Sequence, residues 1–462
     1  MKFLVKLIST LVIVSFGLIL FSCADKVSQD EESPNIIIVL ADDLGWNQLA
    51  CYGGPYQTPN IDKLAEQGMR FTNAYASGPV CSPTRAALMT GKYPARLGLT
   101  DFIKGNTFRD SLLRQPEWQK FLPLEEITIA EIFKEHGYRT ASFGKWHLSR
   151  EKKPPASEAY NPAMQGFDES LITYKPARNQ TNPEHDPHNV DSITDRSIRF
   201  LEENKNQPFL LVVSHNAIHD PVMESRDNID RFSNTNPDPA YSVAPVLGAM
   251  VSRLDEGTGR LLMKLKELGL EKNTIVFFCS DNGGKEFYAS QHPLRKGKGW
   301  LYEGGIRVPM IVRWPGKIEA GGSNEFISST IDILPTIMEL GGLPAPGHSI
   351  DGSSFASELL GDGPAEKRIQ YWHYPHYHSG SGMKPATAMR KGKYKLIEWH
   401  EELLTGKPAW ELYDIESDPG ETRNLIHEKA EILEDLRKEL SNWKEDVQAQ
   451  MPVLAEIEKS IE

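Results

Sequence analysis

The chain is poor in cysteine and carries no surplus of positive charge: four cysteines in 462 residues, and 51 lysines and arginines against 63 aspartates and glutamates, for a net charge of −12. So few thiols, an odd number once Cys23 is set aside, argue against a disulfide framework. The acidic balance argues against a nucleic-acid partner, because no excess of cation is available to neutralise a phosphate backbone, so an anionic substrate must be met by a local basic pocket. Internal repeats and low-complexity tracts are absent. What is present, 39% hydrophobic and 25% charged side chains, is the make-up of a globular chain able to bury a large core.

Lys2 and Lys6 precede an apolar run from Leu7 to Phe21 that closes on Leu20-Phe21-Ser22-Cys23. A short apolar run behind a basic start reads as a signal peptide, residues 1–22. Its end resembles the bacterial lipobox, although Phe21 departs from the small or β-branched residue usual there. Cys23 is thus expected to become a lipidated amino terminus, with residues 23–34 as an acidic tether. The chain is expected to be exported and held on a membrane, facing the periplasm or the cell surface; a plain secreted or membrane-anchored chain is the alternative.

From residue 35 to about 340, short runs rich in Ile, Val and Phe alternate with helix-like segments, the pattern of a mostly parallel sheet with helices on both faces. The main runs are Asn35 to Leu40, Tyr138 to Phe143, Phe209 to Val213, Thr274 to Cys279 and Val308 to Trp314. Polar residues follow four of them at once: Asp42 and Asp43, Lys145 and His147, His215 and His219, Asp281 and Asn282. Open α/β sheets bind ligands at the carboxyl ends of their strands, so these side chains are candidates for one crevice. The expected organisation is a catalytic domain over residues 35–362 and a smaller α+β subdomain over 363–462. The latter has hairpin-like strands around Lys391-Gly392-Lys393 and an amphipathic helix through Ile432, Leu436, Leu440 and Trp443. Residues 179–189 read as a long polar loop.

The segment from Cys81 to Gly91 places Ser82 as an N-cap, Pro83 at the first helical position and Gly91 as terminator. Cys81 then sits at a helix amino terminus, where unpaired N–H groups favour anions, and Arg85 adds a fork of donors one turn on. An activated nucleophile facing an oxyanion fits this arrangement; so does a capped helix start with a structural thiol. Cys279 and Cys51 read as a buried small hydrophobe and an unreactive thiol.

Cys81, Pro83, Arg85 and Thr90-Gly91-Lys92 resemble the signature of the formylglycine-dependent sulfatases. The resemblance extends over residues 35 to 427 through Ala41-Asp42-Asp43-Leu44-Gly45-Trp46, Gly144-Lys145-Trp146-His147-Leu148, Ser280-Asp281-Asn282-Gly283-Gly284, Gly297-Lys298-Gly299 with Tyr302-Glu303-Gly304-Gly305, and Glu411-Leu412-Tyr413-Asp414. It implies an alkaline-phosphatase-like fold and a sulfatase. It further implies that Cys81 is converted by a maturation enzyme to formylglycine, whose hydrate attacks sulfur, and that Lys145, Lys298, His147 and His219 support the chemistry, with His215 in reserve. Asp42, Asp43, Asp281 and Asn282 offer only oxygen ligands, which select a hard cation, calcium ahead of magnesium, with residue 81 at the same metal.

Tyr371 to His378 packs four aromatics and three imidazoles into eight residues. A sugar-binding platform built on His373, His376 and His378 is the leading expectation, because rings cover apolar sugar faces and imidazoles bond hydroxyls; an aromatic core strand and a second metal site are the alternatives. The substrate expected is a sulfated polysaccharide or oligosaccharide. Two further readings stay open: a phosphoryl hydrolase of the same superfamily, and a non-catalytic lipoprotein that holds sulfated glycans with an unconverted Cys81.

Overall fold

The computed structural model describes residues 33–106, 108, 111–150, 158–178, 185–232, 243–365 and 367–455. The expected signal peptide, Cys23, nearly all of the acidic tether and residues 179–184 of the polar loop lie outside these. Among the described residues, no helix is long and apolar enough to cross a membrane.

An eight-stranded sheet runs through the unit from Pro34 to Glu462. Its strands are β1 (Asn35–Ala41), β2 (Met69–Phe71), β3 (Arg139–Gly144), β4 (Glu169–Ile172), β5 (Phe209–Ser214), β6 (Thr274–Ser280), β7 (Met310–Arg313) and β8 (Gly322–Asn324), in the order β8-β2-β7-β6-β1-β5-β3-β4. β1 lies at the centre, parallel to β5 through Ile36 to Leu210 and Leu40 to Ser214, and parallel to β6 through Ile36 to Ile275 and Leu40 to Cys279. Every residue of β1 is buried, and its alternation feeds two cores. Ile36, Ile38 and Leu40 join one with Phe71, Leu88 and Phe277; Ile37 and Val39 join the other with Phe200, Leu254 and Phe278. Both faces being covered is why this strand is an unbroken apolar run.

Helices close the two faces: α1 (Pro59–Glu66), α2 (Cys81–Thr90), α3 (Ile129–Glu135), α4 (Val190–Asn204), α5 (Ala244–Glu267) and α6 (Ile333–Leu340). The sheet is mixed, as expected, because β7 runs antiparallel to both β6 and β2. The two-sided apolar signal of β7 was legible, but its direction was not, since pattern carries no polarity. The three-residue strands β2 and β8 are too short to show an alternation at all.

One expectation about α2 is corrected. The N-cap is Val80, and Cys81 itself begins the helix, so Ser82 and Pro83 lie inside its first turn. Ser82 Oγ instead donates to the His147 carbonyl at 2.9 Å and accepts from the Ile103 N–H at 3.1 Å. A tertiary partner has taken the hydroxyl that a local cap would have used. Gly91 ends the helix in the left-handed conformation, φ 66°, as expected.

The C-terminal part forms a second, antiparallel sheet in sequence order, β9 (Ile369–Tyr374), β10 (Ala386–Lys391), β11 (Tyr394–Trp399) and β12 (Trp410–Asp414), with α7 (Ala430–Asp446) packed on it. Lys391 pairs with Tyr394 across the Gly392-Lys393 turn. This sheet is tied to the N-terminal part by Trp372 Nε1, which donates to the Ala76 carbonyl at 2.8 Å, and by a buried ion cluster. Lys395 Nζ lies 3.0 Å from Glu303 Oε1 and 2.8 Å from Glu421 Oε1, all three side chains being fully enclosed. Tyr75 donates to the other Glu303 oxygen at 2.7 Å.

Removing one member of such a cluster strands the others without solvent. Lys395→Met is expected to cost about 3–5 kcal/mol in denaturant unfolding. A second prediction concerns pH. Burial pushes His373 and His376 from an ordinary 6.5 to about 4 and about 3, and lowers neighbouring His400 as well. The unfolded chain binds protons below pH 6.5 that the folded chain refuses, so stability is full above that pH and falls as pH drops toward 4. A denaturant midpoint measured across that window should fall, and fall less in His373→Asn.

Candidate active site

Four adjacent parallel strands, β6, β1, β5 and β3, end side by side, and their ladder continues one residue further. Asp42 N–H donates to Ala217 O, His215 N–H to Leu40 O, Asp281 N–H to Ala41 O, and Lys145 N–H to Ser214 O, at 2.7–3.1 Å. These bonds fix the backbones that carry the polar side chains. Two of the residues beyond, Asp43 (φ 66°) and His147 (φ 60°), adopt the left-handed conformation, which aims them into the crevice. Gly144 permits the close crossing at β3, since a Cβ there would stand 1.8 Å from the Ser214 carbonyl oxygen.

Cys81 lies at the floor of the crevice, its Sγ 3.4 Å from Asp42 Oδ1 and 3.9 Å from Asp43 Oδ1. Lys298 Nζ stands 3.2 Å from the same sulfur and pairs with Asp43. Lys145 Nζ bonds Asp42 Oδ2 at 2.7 Å. Arg85 binds Asp281 Oδ2 through Nε at 2.9 Å and Nη2 at 2.7 Å, while its Nη1 donates to the Lys145 carbonyl. Asn282 donates to Asp43 Oδ1 at 2.9 Å. His219 Nε2 is 3.7 Å from Asp43 Oδ2. His147 Nε2 donates to the Ile103 carbonyl at 2.5 Å, which orients its ring at the cavity wall.

Lys298 reaches the sulfur on a loop that only glycine can build. Gly283 N–H donates to the Gly305 carbonyl and Lys298 N–H to the Gly284 carbonyl, and a Cβ on Gly283 would stand 1.9 Å from the Gly304 oxygen. The repeated Gly-Gly pairs thus pack backbone on backbone.

Burial and mutual repulsion lift Asp42 above the ordinary carboxylate range, whereas Asp43, although burial opposes it, is held well below by His219, Lys298 and Lys285. Burial, reinforced by the Asp281 charge, pushes the Cys81 thiol up to about 12. Burial lowers His219 well below 6.5, against the pull of the Asp43 charge toward the protonated form.

The carboxylate and amide oxygens at the floor suit a hard cation. The ligand atoms of Asp42, Asp43, Cys81 and His219 all lie within 4.8 Å of one another. Asn282 Oδ1 and Asp43 Oδ2 are buried without a hydrogen-bond donor, the state of oxygens facing a cation rather than an N–H. The grouping overlaps the expected ligand set in Asp42, Asp43 and Cys81; Asp281 and Asn282 adjoin it at Asp43, whose N–H donates to Asp281 Oδ1 at 3.2 Å and whose Oδ1 accepts from Asn282.

Above this floor opens a cavity of about 1100 Å³, bordered by Asp42, Cys81, Lys145, His147, His219 and Lys298. His378 lines it, but the platform expected from its two neighbours needs correcting. His373 is bonded to Thr387 Oγ1 and the Gln450 carbonyl, and His376 to Thr100 and Gln115, so both imidazoles are consumed inside the protein. The aromatic run is largely a core strand. His215 is fully buried and does not line the cavity. The sequence reading missed Lys175, Arg178, Lys285 and Phe287, which border the cavity; only Lys285, directly after Asn282-Gly283-Gly284, had a local cue.

Such a sheet edge, with buried carboxylates clustered beside a cysteine that begins a helix, is the frame of an alkaline-phosphatase-like hydrolase. A family model described as "Sulfatase" matches residues 34–343, and one described as "N-sulphoglucosamine sulphohydrolase, C-terminal" matches residues 296–446. The chain belongs to the sulfatase family and is a sulfuric ester hydrolase. It is similar to arylsulfatase A of Homo sapiens, 32% identical over a 451-residue alignment covering 85% of this chain and 83% of that one. It is also similar to an N-acetylglucosamine-6-O-sulfatase of Bacteroides thetaiotaomicron, 28% identical with 96% and 91% covered. Among solved structures, Ps i-CgsB in complex with k-i-k-neocarrahexaose superposes with a TM-score of 0.75 at 27% identity, covering 90% of this chain and 94% of that one.

Because their imidazoles are spent on internal partners, His373→Ala and His376→Ala are each expected to lower unfolding free energy by about 1–3 kcal/mol without changing KM. His378→Ala should instead raise KM. Denaturant curves and initial rates on one sulfate ester separate the two behaviours.

Proposed function

We propose that this sulfatase removes sulfate from a sulfated polysaccharide or oligosaccharide outside the cytoplasm, as a lipoprotein anchored through Cys23, with Cys81 converted to formylglycine by a maturation enzyme. The observation that carries the substrate class is the cavity above Cys81, which at about 1100 Å³ is far roomier than one small aryl sulfate requires. The named activities of its relatives support the same class: one acts on N-acetylglucosamine 6-O-sulfate, and a solved neighbour holds a neocarrahexaose.

The reaction needs a strong nucleophile, neutralisation of the sulfate oxygens and a protonated leaving group. A thiol pushed up to about 12 is protonated at neutral pH, and a thiolate that did attack sulfur would stall as an S-sulfo adduct. Formylglycine, as its hydrate, supplies one hydroxyl to attack sulfur and a second whose deprotonation releases sulfate. Asp42, Asp43, Asp281 and Asn282 with residue 81 would hold calcium, which supplies positive charge to acidify the attacking hydroxyl and polarise a sulfate oxygen. Arg85 locks Asp281 in place and, through the Lys145 carbonyl, the turn that bears Lys145. Lys145 and Lys298, both directed at the floor, neutralise sulfate oxygens. His219 and His147 flank the nucleophile from two strand ends and are the groups positioned to pass a proton to the leaving oxygen.

Cys81→Ala is expected to abolish turnover across a panel of sulfated sugars while lowering the unfolding free energy by no more than about 1 kcal/mol. Appreciable residual rate in that variant would contradict the mechanism. In active protein, peptide mass analysis should find residue 81 as an aldehyde or its hydrate, and a chelator should remove activity that calcium restores.

A further inference from the structure

Three cations on one wall of the cavity converge on a single carboxylate. Asp220, only 5% exposed, is bonded by Lys285 at Oδ1 and by Arg178 at Oδ2, at 3.0 Å, while Lys175 Nζ stands 3.9 Å from Oδ2 and 3.2 Å from His219 Nδ1. Asp220 stays ionised, because Lys285 and Lys175 outweigh the effect of burial. One negative charge thus faces three positive ones. The nearest other anion, Asp43, lies 3.9 Å from Lys285 and is already held by Lys298 and Asn282. Glu286 borders the same cavity but pairs with Lys296 at 3.7 Å.

The uncompensated charge faces the substrate space. The side chains of Lys285, Lys175 and Arg178 are 27%, 38% and 83% exposed, and all three line the cavity. In a chain whose net charge is −12, such a concentration of cations is local. The cluster starts beside the nucleophile, since Lys285 reaches Asp43, and runs outward to the mouth through Arg178. Phe287, 83% exposed, and Tyr174, 45% exposed, border the same cavity. An isolated exposed ring means little; rings beside surplus cations at a cavity mouth suit a ligand with an apolar sugar face and an anionic substituent.

We propose that Lys175, Arg178 and Lys285 form a second oxyanion subsite, which binds a further sulfate or carboxylate of the same glycan while the sulfate to be removed lies at Cys81. This rests on the carbohydrate reading above and narrows it: the substrate is a glycan with at least two anionic groups. Arg178 provides a planar fork suited to either oxyanion, and Asp220 holds the three cations together in the absence of substrate.

The test compares the mature wild-type enzyme with Arg178→Ala and the charge reversal Arg178→Glu. Four kinds of substrate are used: 4-nitrophenyl sulfate, a monosulfated sugar, and oligosaccharides carrying either an additional sulfate or an additional carboxylate. Arg178→Ala is expected to raise KM about tenfold on one or both two-anion substrates, the loss of one charge-assisted contact, with Arg178→Glu worse. Both variants should stay within about twofold of wild type on the singly charged pair. The two-anion arm that suffers identifies the oxyanion. Equal losses on all substrates, or no loss on either two-anion substrate, overturn the subsite while leaving the carbohydrate reading intact. If the wild type turns over only 4-nitrophenyl sulfate, the carbohydrate reading falls and the subsite with it.

Discussion

Three buried carboxylates, Asp42, Asp43 and Asp281, crowd one edge of a β-sheet, and the cost of that confined charge governs what surrounds it. Lys145, Lys298 and Arg85 each take one carboxylate as principal partner, so the floor is balanced by cations from three separate parts of the chain. The same side chains that make the edge tolerable in the protein present positive charge to a sulfate ester. Stabilising the fold and binding the anion are here one arrangement.

That arrangement depends on backbone more than on side-chain packing. The ladder of the parallel strands continues beyond their ends and sets Asp42, Lys145, His215 and Asp281 at fixed spacing. Asp43 and His147 leave the strands in left-handed conformations that redirect their side chains. Gly283 and Gly304 allow two loops to touch without intervening atoms, which brings Lys298 to within 3.2 Å of the Cys81 sulfur. A larger residue at either glycine would displace the lysine, because its Cβ meets backbone that has nowhere to go.

The C-terminal sheet contributes on a different scale. Its buried Lys395 meets Glu303, which begins the short helix immediately after the Lys298 loop, so the antiparallel sheet anchors one wall of the site. A second stretch of the cavity wall is supplied by the segments after β4 and β5 and by the loop after Asn282, where Asp220 gathers Lys175, Arg178 and Lys285. One stretch is thus held by an ion cluster closed off from solvent, and the other keeps positive charge in contact with solvent. The first has a structural use; the second is available to a ligand.

Much of the floor was legible from the chain alone. Apolar runs long enough to be buried on both faces, each followed at once by Asp, Lys, His or Asn, marked four strand ends. Parallel strands must bring such ends to one edge, and Cys81 with Arg85 announced a helix start facing anions. These are local patterns, and a strand or helix imposes them wherever it sits. The sequence could not decide which of His373, His376 and His378 faces the cavity, because neighbouring histidines differ only in whether Thr387, Thr100 or open space lies opposite. Nor could it show that Ser82 serves His147 and Ile103 in place of its own helix, or that Lys175, Arg178 and Lys285 share one aspartate. Those outcomes depend on which distant groups compete for the same hydrogen bond or charge, and only the packed chain settles that competition.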